Sequence, residues 1–132
     1  MIGISMDAAR KTILIIDDEP DTLVYFTCLL EDHGFNVITA EDAAEGLKKA
    51  LSHLPDLITL DLSMPEKSGI LFYREIKENA ASKDIPVIII SGVSEDLQPF
   101  LSSADRIPLP EAFLSKPIIP DELLETISRL IR

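Results

Sequence analysis

The chain has 132 residues and a mass of 14.6 kDa, the size of one ordinary domain that buries a core without disulfides or a structural metal. Its 46% hydrophobic content and positive mean hydropathy exclude a disordered segment, and 5% aromatic residues with no Trp leave no stacking surface for single-stranded nucleic acid. Acidic residues outnumber basic ones 23 to 12, and the net charge of -11 repels nucleic acid and anionic membrane surfaces.

No apolar run approaches the roughly 20 residues of a membrane span. Cys28 is alone, and the start MIGISMDAAR lacks the apolar stretch of a secretion signal, so the expected compartment is the cytoplasm. Residues 1–10 are expected to form a flexible N-terminal segment and residues 11–132 one domain.

In chain order, short apolar runs alternate with segments whose apolar residues recur at helical spacing. A first strand, Thr12 to Ile16, leads into a helix that opens on Pro20 and Asp21, carries Leu23, Phe26 and Leu30 on one face and stops before Gly34. A second strand, Asn36 to Thr39, precedes a helix with Ala43, Leu47, Ala50 and Leu51 on its apolar face. Leu57 to Leu60 form a third strand, followed by a helix marked by Phe72 and Ile76; Pro86 to Ile90 form a fourth, followed by one marked by Leu97, Phe100 and Leu101. A short fifth strand, Ala112 to Leu114, gives way to a helix opened by Pro120 and Asp121 and carrying Leu123, Ile127, Leu130 and Ile131.

This order predicts an α/β fold, a (βα)5 doubly wound five-stranded parallel sheet with helices on both faces. For a flavodoxin-like strand order 2-1-3-4-5 the ligand site lies beyond the carboxyl ends of the first and third strands, where the winding reverses.

Those ends are polar. The first strand ends in Asp17-Asp18-Glu19, the third in Asp61, the fourth in Ser91, and the fifth runs into Lys116-Pro117. Carboxylates converging there would raise one another's pKa unless a cation sat among them, and Mg²⁺ suits one or two carboxylates plus a phosphate oxygen. Asp61 can then serve as a nucleophile toward phosphorus, with Lys116 neutralising charge and Ser91 offering a hydroxyl to a phosphoryl oxygen. Alone, Asp17 and Asp18 fit a solvated helix start equally well, and Ser91 alone fits a turn. Asp61 and Lys116 in register with them favour a site.

The segments ILIIDDEPD (Ile13 to Asp21), PDLITLDLSMPEKSG (Pro55 to Gly69), PVIIISG (Pro86 to Gly92) and FLSKP (Phe113 to Pro117) together resemble the receiver domains of two-component response regulators, over roughly Lys11 to Arg132. The resemblance implies Mg²⁺ bound by Asp17, Asp18, Asp61 and the backbone carbonyl of Ser63, phosphorylation on Asp61, a switch through Ser91 and Phe113, and a cis Lys116-Pro117 bond. It implies a histidine kinase or phosphotransfer protein as donor, with small donors such as acetyl phosphate as substitutes. It also implies an output domain or partner protein as target, admits a homodimer, and makes the chain a signalling phosphoacceptor that catalyses only its own phosphorylation and dephosphorylation. Both a stand-alone regulator and a segment of a longer protein fit.

Two departures stand out. Ser91 and Lys116 are 25 positions apart (116 - 91), a longer spacing than the family's, with the extra length expected in Asp105 to Glu111. Glu111-Ala112 replaces the usual Gly-Ala pair, which points to an unusual partner or dimer at that face. Ser63 and Val93, two positions beyond the acceptor and the switch hydroxyl, carry no carboxylate or amide to orient water, so slow self-dephosphorylation is expected.

His33 and His53 read as solvated helix-end residues, and Cys28 as a small packing residue of the first helix. Three rivals fare worse. A dehalogenase-type phosphatase needs an Asp-x-Asp nucleophile motif, an FMN binder needs a Gly- and hydroxyl-rich loop where DDEPD stands, and a mere docking module has no need of the complete acidic, hydroxyl and lysine set.

Overall fold

The computed structural model describes residues 10–64, 68–92 and 108–131. Five strands, β1 (Thr12–Ile16), β2 (Asn36–Ala40), β3 (Leu57–Asp61), β4 (Val87–Ser91) and β5 (Ala112–Ser115), form one sheet in the order β2-β1-β3-β4-β5 with every neighbouring pair parallel. The described helices are α1 (Pro20–Asp32), α2 (Ala43–His53), α3 (Ser68–Glu78) and α4 (Pro120–Leu130). The predicted α/β class and strand order are those observed. The helix expected around Leu97, Phe100 and Leu101 lies outside the described residues, as do Val93, Pro65, the first nine residues and residues 105–107 of the long connection.

The period-two alternation of each strand builds two cores. Leu14, Ile16, Ile58, Leu60, Val87 and Ile89 face one side, where they pack with Ala50 of α2 and Phe72, Tyr73 and Ile76 of α3. Ile13, Ile15, Leu57, Ile88 and Ile90 face the other, against Leu23, Phe26 and Leu30 of α1 and Leu123 and Ile127 of α4. Strands apolar on both faces are stable only when covered on both, so the sequence of β1, β3 and β4 forces the doubly wound arrangement. Gly46 is where α2 meets the sheet: a β-carbon there would lie 2.7 Å from Ile16 Cδ1. Gly34 adopts φ +90° just past α1 and donates its N–H to Glu31 O, the left-handed stop that only glycine takes without strain.

Two expectations about helix faces are corrected. Cys28 is exposed, because the buried stripe of α1 runs through Leu23, Phe26 and Leu30 and leaves Cys28 on the outward side with Val24 and Tyr25. It is not a packing residue. Leu51 is 38% exposed, since Gly46 and Ala50 hold α2 against the sheet at that level and turn Leu51 aside. His33 and His53 do stand at helix ends, each with Nδ1 near a carbonyl of the last turn.

Candidate functional site

Register fixes the site. Ile16 pairs with Leu60, so the next residues, Asp17 and Asp61, stand side by side at the carboxyl edge; Asp61 pairs with Ile90. Ser91 pairs with Ser115, and the Lys116 N–H then donates to Ser91 O at 2.9 Å. Four polar residues separated by up to 99 positions (116 - 17) thus reach one edge. Asp17, Asp61 and Ser91 are buried there, while Asp18 and Glu19 are exposed.

Ligand-capable oxygens of Asp17, Asp18 and Glu19 lie within 4.8 Å of one another. The backbone explains how they are presented: the Glu19 N–H donates to Asp17 Oδ1 at 2.9 Å, and Glu19 caps α1 through its backbone alone, with Pro20 at the first helical position. Its carboxylate is therefore left to the acidic cluster. Asp61 is held by more donors. Ser63 N and Ser63 Oγ both donate to Asp61 Oδ1, at 2.8 and 2.6 Å, and Lys116 Nζ donates to Asp61 Oδ2 at 2.8 Å and to Ser63 Oγ at 2.9 Å.

The electrostatics follow from these contacts. Burial pushes the Asp17 carboxyl up to about 7, helped by its hydrogen bond to Asp61 and by the negative charge there. Burial also opposes charge on Asp61, but the Lys116 ammonium and the two Ser63 donors outweigh it and hold Asp61 below the usual carboxylate range. Lys116 is partly desolvated, which alone would lower its pKa, yet pairing with Asp61 raises it. The edge thus holds an ionised acceptor, its ammonium partner and a neighbouring acid that retains a proton near neutrality in the absence of a cation. A divalent ion with oxygen preference fits this donor set, since it would replace that proton.

All the sequence-derived edge residues, Asp17, Asp18, Asp61, Ser91 and Lys116, are brought together, and Lys116-Pro117 is cis. Phe113 is not at this edge: it pairs with Ile89 in the middle of β5 and is 37% exposed. Two contributions go beyond the sequence reading. Glu19 joins the acidic cluster, signalled only by its adjacency to Asp17-Asp18, and the Ser63 hydroxyl bridges Asp61 and Lys116, for which the sequence carries no signal. Beside the edge, a groove of about 560 Å³ runs between α1 and the β5–α4 connection, with Asp17, Glu19 and Lys116 at one end and Tyr25, Phe26 and Ile118 along its apolar wall.

Comparison with known proteins agrees with this geometry. The family model for the response regulator receiver domain matches residues 13–128. Protein PilH of Pseudomonas aeruginosa is 30% identical over 119 residues, covering 90% of this chain and 96% of PilH. Several other curated relatives are matched over only 49–52% of their own length. Among solved structures, the chemotaxis protein CheY4 of Vibrio cholerae superposes with a TM-score of 0.81 at 26% identity, covering 92% of this chain and 99% of that one. The response regulator TrrA of Thermotoga maritima, in complex with Mg(2+)-BeF, gives 0.77 at 33% identity, covering 91% and 98%.

Proposed function

The chain belongs to the response regulator receiver domains, the phosphoacceptor modules of two-component signalling, and from that premise we propose that Asp61 is the residue phosphorylated, in an acidic pocket that takes Mg²⁺. The observation that carries this is the placement of Lys116 Nζ 2.8 Å from Asp61 Oδ2, next to the cluster of Asp17, Asp18 and Glu19. An ionised carboxylate beside a single ammonium is a competent nucleophile toward phosphorus.

In the transfer step an Asp61 oxygen forms a bond to phosphorus as the donor's P–N bond (phosphohistidine) or P–O bond (acetyl phosphate) breaks, and the electron pair leaves with the imidazole or acetate. Lys116 stabilises the charge on the transferred group, and Ser91, buried at the adjacent strand end, is the hydroxyl that receives a phosphoryl oxygen. Asp17, Asp18 and Asp61, with the Ser63 backbone carbonyl, would hold Mg²⁺, and Glu19 is near enough to assist. When bound, that ion supplies neutralisation of phosphoryl charge. Water attack on the same phosphorus later returns the carboxylate and releases inorganic phosphate, so the domain catalyses only its own loading and unloading. The Mg(2+)-BeF complex of TrrA, a relative of nearly equal length, supports the metal assignment.

The donor is a cytoplasmic histidine kinase or phosphotransfer protein that approaches over the groove between α1 and the β5–α4 connection. Exposed Tyr25 lines that groove with Ile118 and Pro117 and offers an apolar footing beside the acid cluster. Ser91 and Phe113, on neighbouring strands, are the pair through which phosphorylation would reach the surface of β5, where an output domain or a second copy would read it.

The test is intact-mass measurement after incubation with acetyl phosphate, with and without Mg²⁺, on the wild-type chain and Asp61→Asn. A single Mg²⁺-dependent phosphoryl adduct absent from the variant is expected. An adduct that persists in Asp61→Asn, or no adduct from either acetyl phosphate or a histidine phosphodonor, overturns the assignment.

A further inference from the structure

The hydroxyl of Ser63 occupies a position that neither the acceptor chemistry nor the family resemblance assigns to it. A carboxylate oxygen offers about two acceptor directions, and on Asp61 Oδ1 both are taken by one residue, Ser63, through N–H at 2.8 Å and Oγ–H at 2.6 Å. The lone proton of the hydroxyl is committed to Asp61, while its oxygen accepts from Lys116 Nζ at 2.9 Å. Lys116 closes the ring on Asp61 Oδ2 at 2.8 Å. Bonds with one ionised partner are the strong ones, and here two ionised groups hold one hydroxyl between them.

We infer that the Ser63 hydroxyl is a latch on the acceptor, a positioning group that keeps Asp61 and Lys116 bound to each other and sets how much Mg²⁺ is needed to open the site. The inference rests on the reading of Asp61 as a metal-sharing phosphoacceptor. A cation held by Asp61 competes with the donors already on that carboxylate. The Ser63 N–H is fixed by the backbone, whereas the hydroxyl can leave by rotation about one side-chain bond, and Ser63 is exposed, so water receives it. The same rotation releases Lys116 from its second partner. Ser63 therefore raises the metal requirement of the resting domain and at the same time keeps the acceptor ionised.

The test is a Mg²⁺ titration followed by backbone amide NMR shifts on the wild-type chain, Ser63→Ala and Ser63→Thr, beside the acetyl phosphate mass assay on all three. Ser63→Ala is expected to bind Mg²⁺ about fivefold more tightly, the effect of deleting one competing charge-assisted bond that water largely replaces. Ser63→Thr, which keeps the hydroxyl, should match the wild type. Equal or weaker binding by Ser63→Ala overturns the latch while leaving the receiver reading intact, because the wild type still binds Mg²⁺ and gains a phosphoryl group. A Thr variant that behaves like the Ala variant also overturns it, since the effect then belongs to loop packing. If none of the three binds Mg²⁺ or gains mass, the receiver reading fails and the latch with it.

Discussion

Lys77 Nζ lies 3.3 Å from Glu111 Oε2 with only 2% of the lysine side chain exposed, at the end of the sheet opposite the acidic cluster. Glu111 Oε1 also accepts from the Val87 N–H at 2.8 Å, and Lys77 Nζ donates further to Ile85 O at 3.0 Å. Tyr73, whose ring lies under that ammonium, donates its hydroxyl to Pro108 O at 2.5 Å. The Glu that departs from the family's usual small residue is thus a counter-ion and a strand cap, tying α3, β4 and β5 together.

Replacing Glu111 by Gly should therefore destabilise the domain by about 2 kcal/mol, because it leaves a buried ammonium and a strand N–H short of partners. Lys77→Met should cost less, since the carboxylate keeps the Val87 N–H and water. Urea unfolding of both variants checks the ordering, and a Gly variant as stable as the wild type would remove the cap assignment.

Asp17 gives a pH dependence with a definite sign. Its folded pKa of about 7 lies above the unfolded 3.8, so the folded state holds the extra proton between those values. Its contribution is fully present below about pH 4 and is lost as pH rises through 7, on the order of 4 kcal/mol across the window. Asp61, with its lowered pKa, acts oppositely and only in more acid solution. Thermal unfolding without metal should show the wild type more stable at pH 5 than at pH 8, with Asp17→Asn flatter, and Mg²⁺ should stabilise at pH 8 but little at pH 5. Stability that climbs from pH 5 to pH 8 without metal would contradict this.

Gly46→Ala should cost about 1–3 kcal/mol, the usual range for overpacking, because the added carbon meets Ile16 Cδ1 at 2.7 Å and Ile16 Cγ1 at 3.1 Å. Ile16→Val removes that Cδ1, so the double variant should recover part of the loss instead of adding to it. Strict additivity in a double-mutant cycle would argue against the contact.

Loss of the phosphoryl group should be slow. The Ser63 side chain near Asp61 is a hydroxyl already engaged with Asp61 and Lys116, and it brings no base to orient water. The adduct should persist for minutes after removal of acetyl phosphate; decay within seconds in the purified domain would refute this.

Much of the molecule was legible in the chain itself. The runs of β1, β3 and β4 carry apolar residues on both faces, which demands cover on both, and the acids fall at the carboxyl ends of β1 and β3, with Lys116 just past β5. The alternation of strands and helices and the polar strand ends followed from that punctuation, while the strand order came from likeness to flavodoxin-like sheets. Cys28 and Leu51 were misplaced because helical spacing gives a stripe but not its width: where the backbone approaches closely, as at Gly46 and Ala50, the stripe narrows. What only the tertiary structure decided depends on atoms far apart in sequence. Glu111 needs Lys77 and Val87, and the Ser63 hydroxyl needs Lys116, 53 positions away. Residue type and local spacing set which elements form and which ends are polar. Hydrogen-bond direction between side chains is fixed only when register brings the strand ends together.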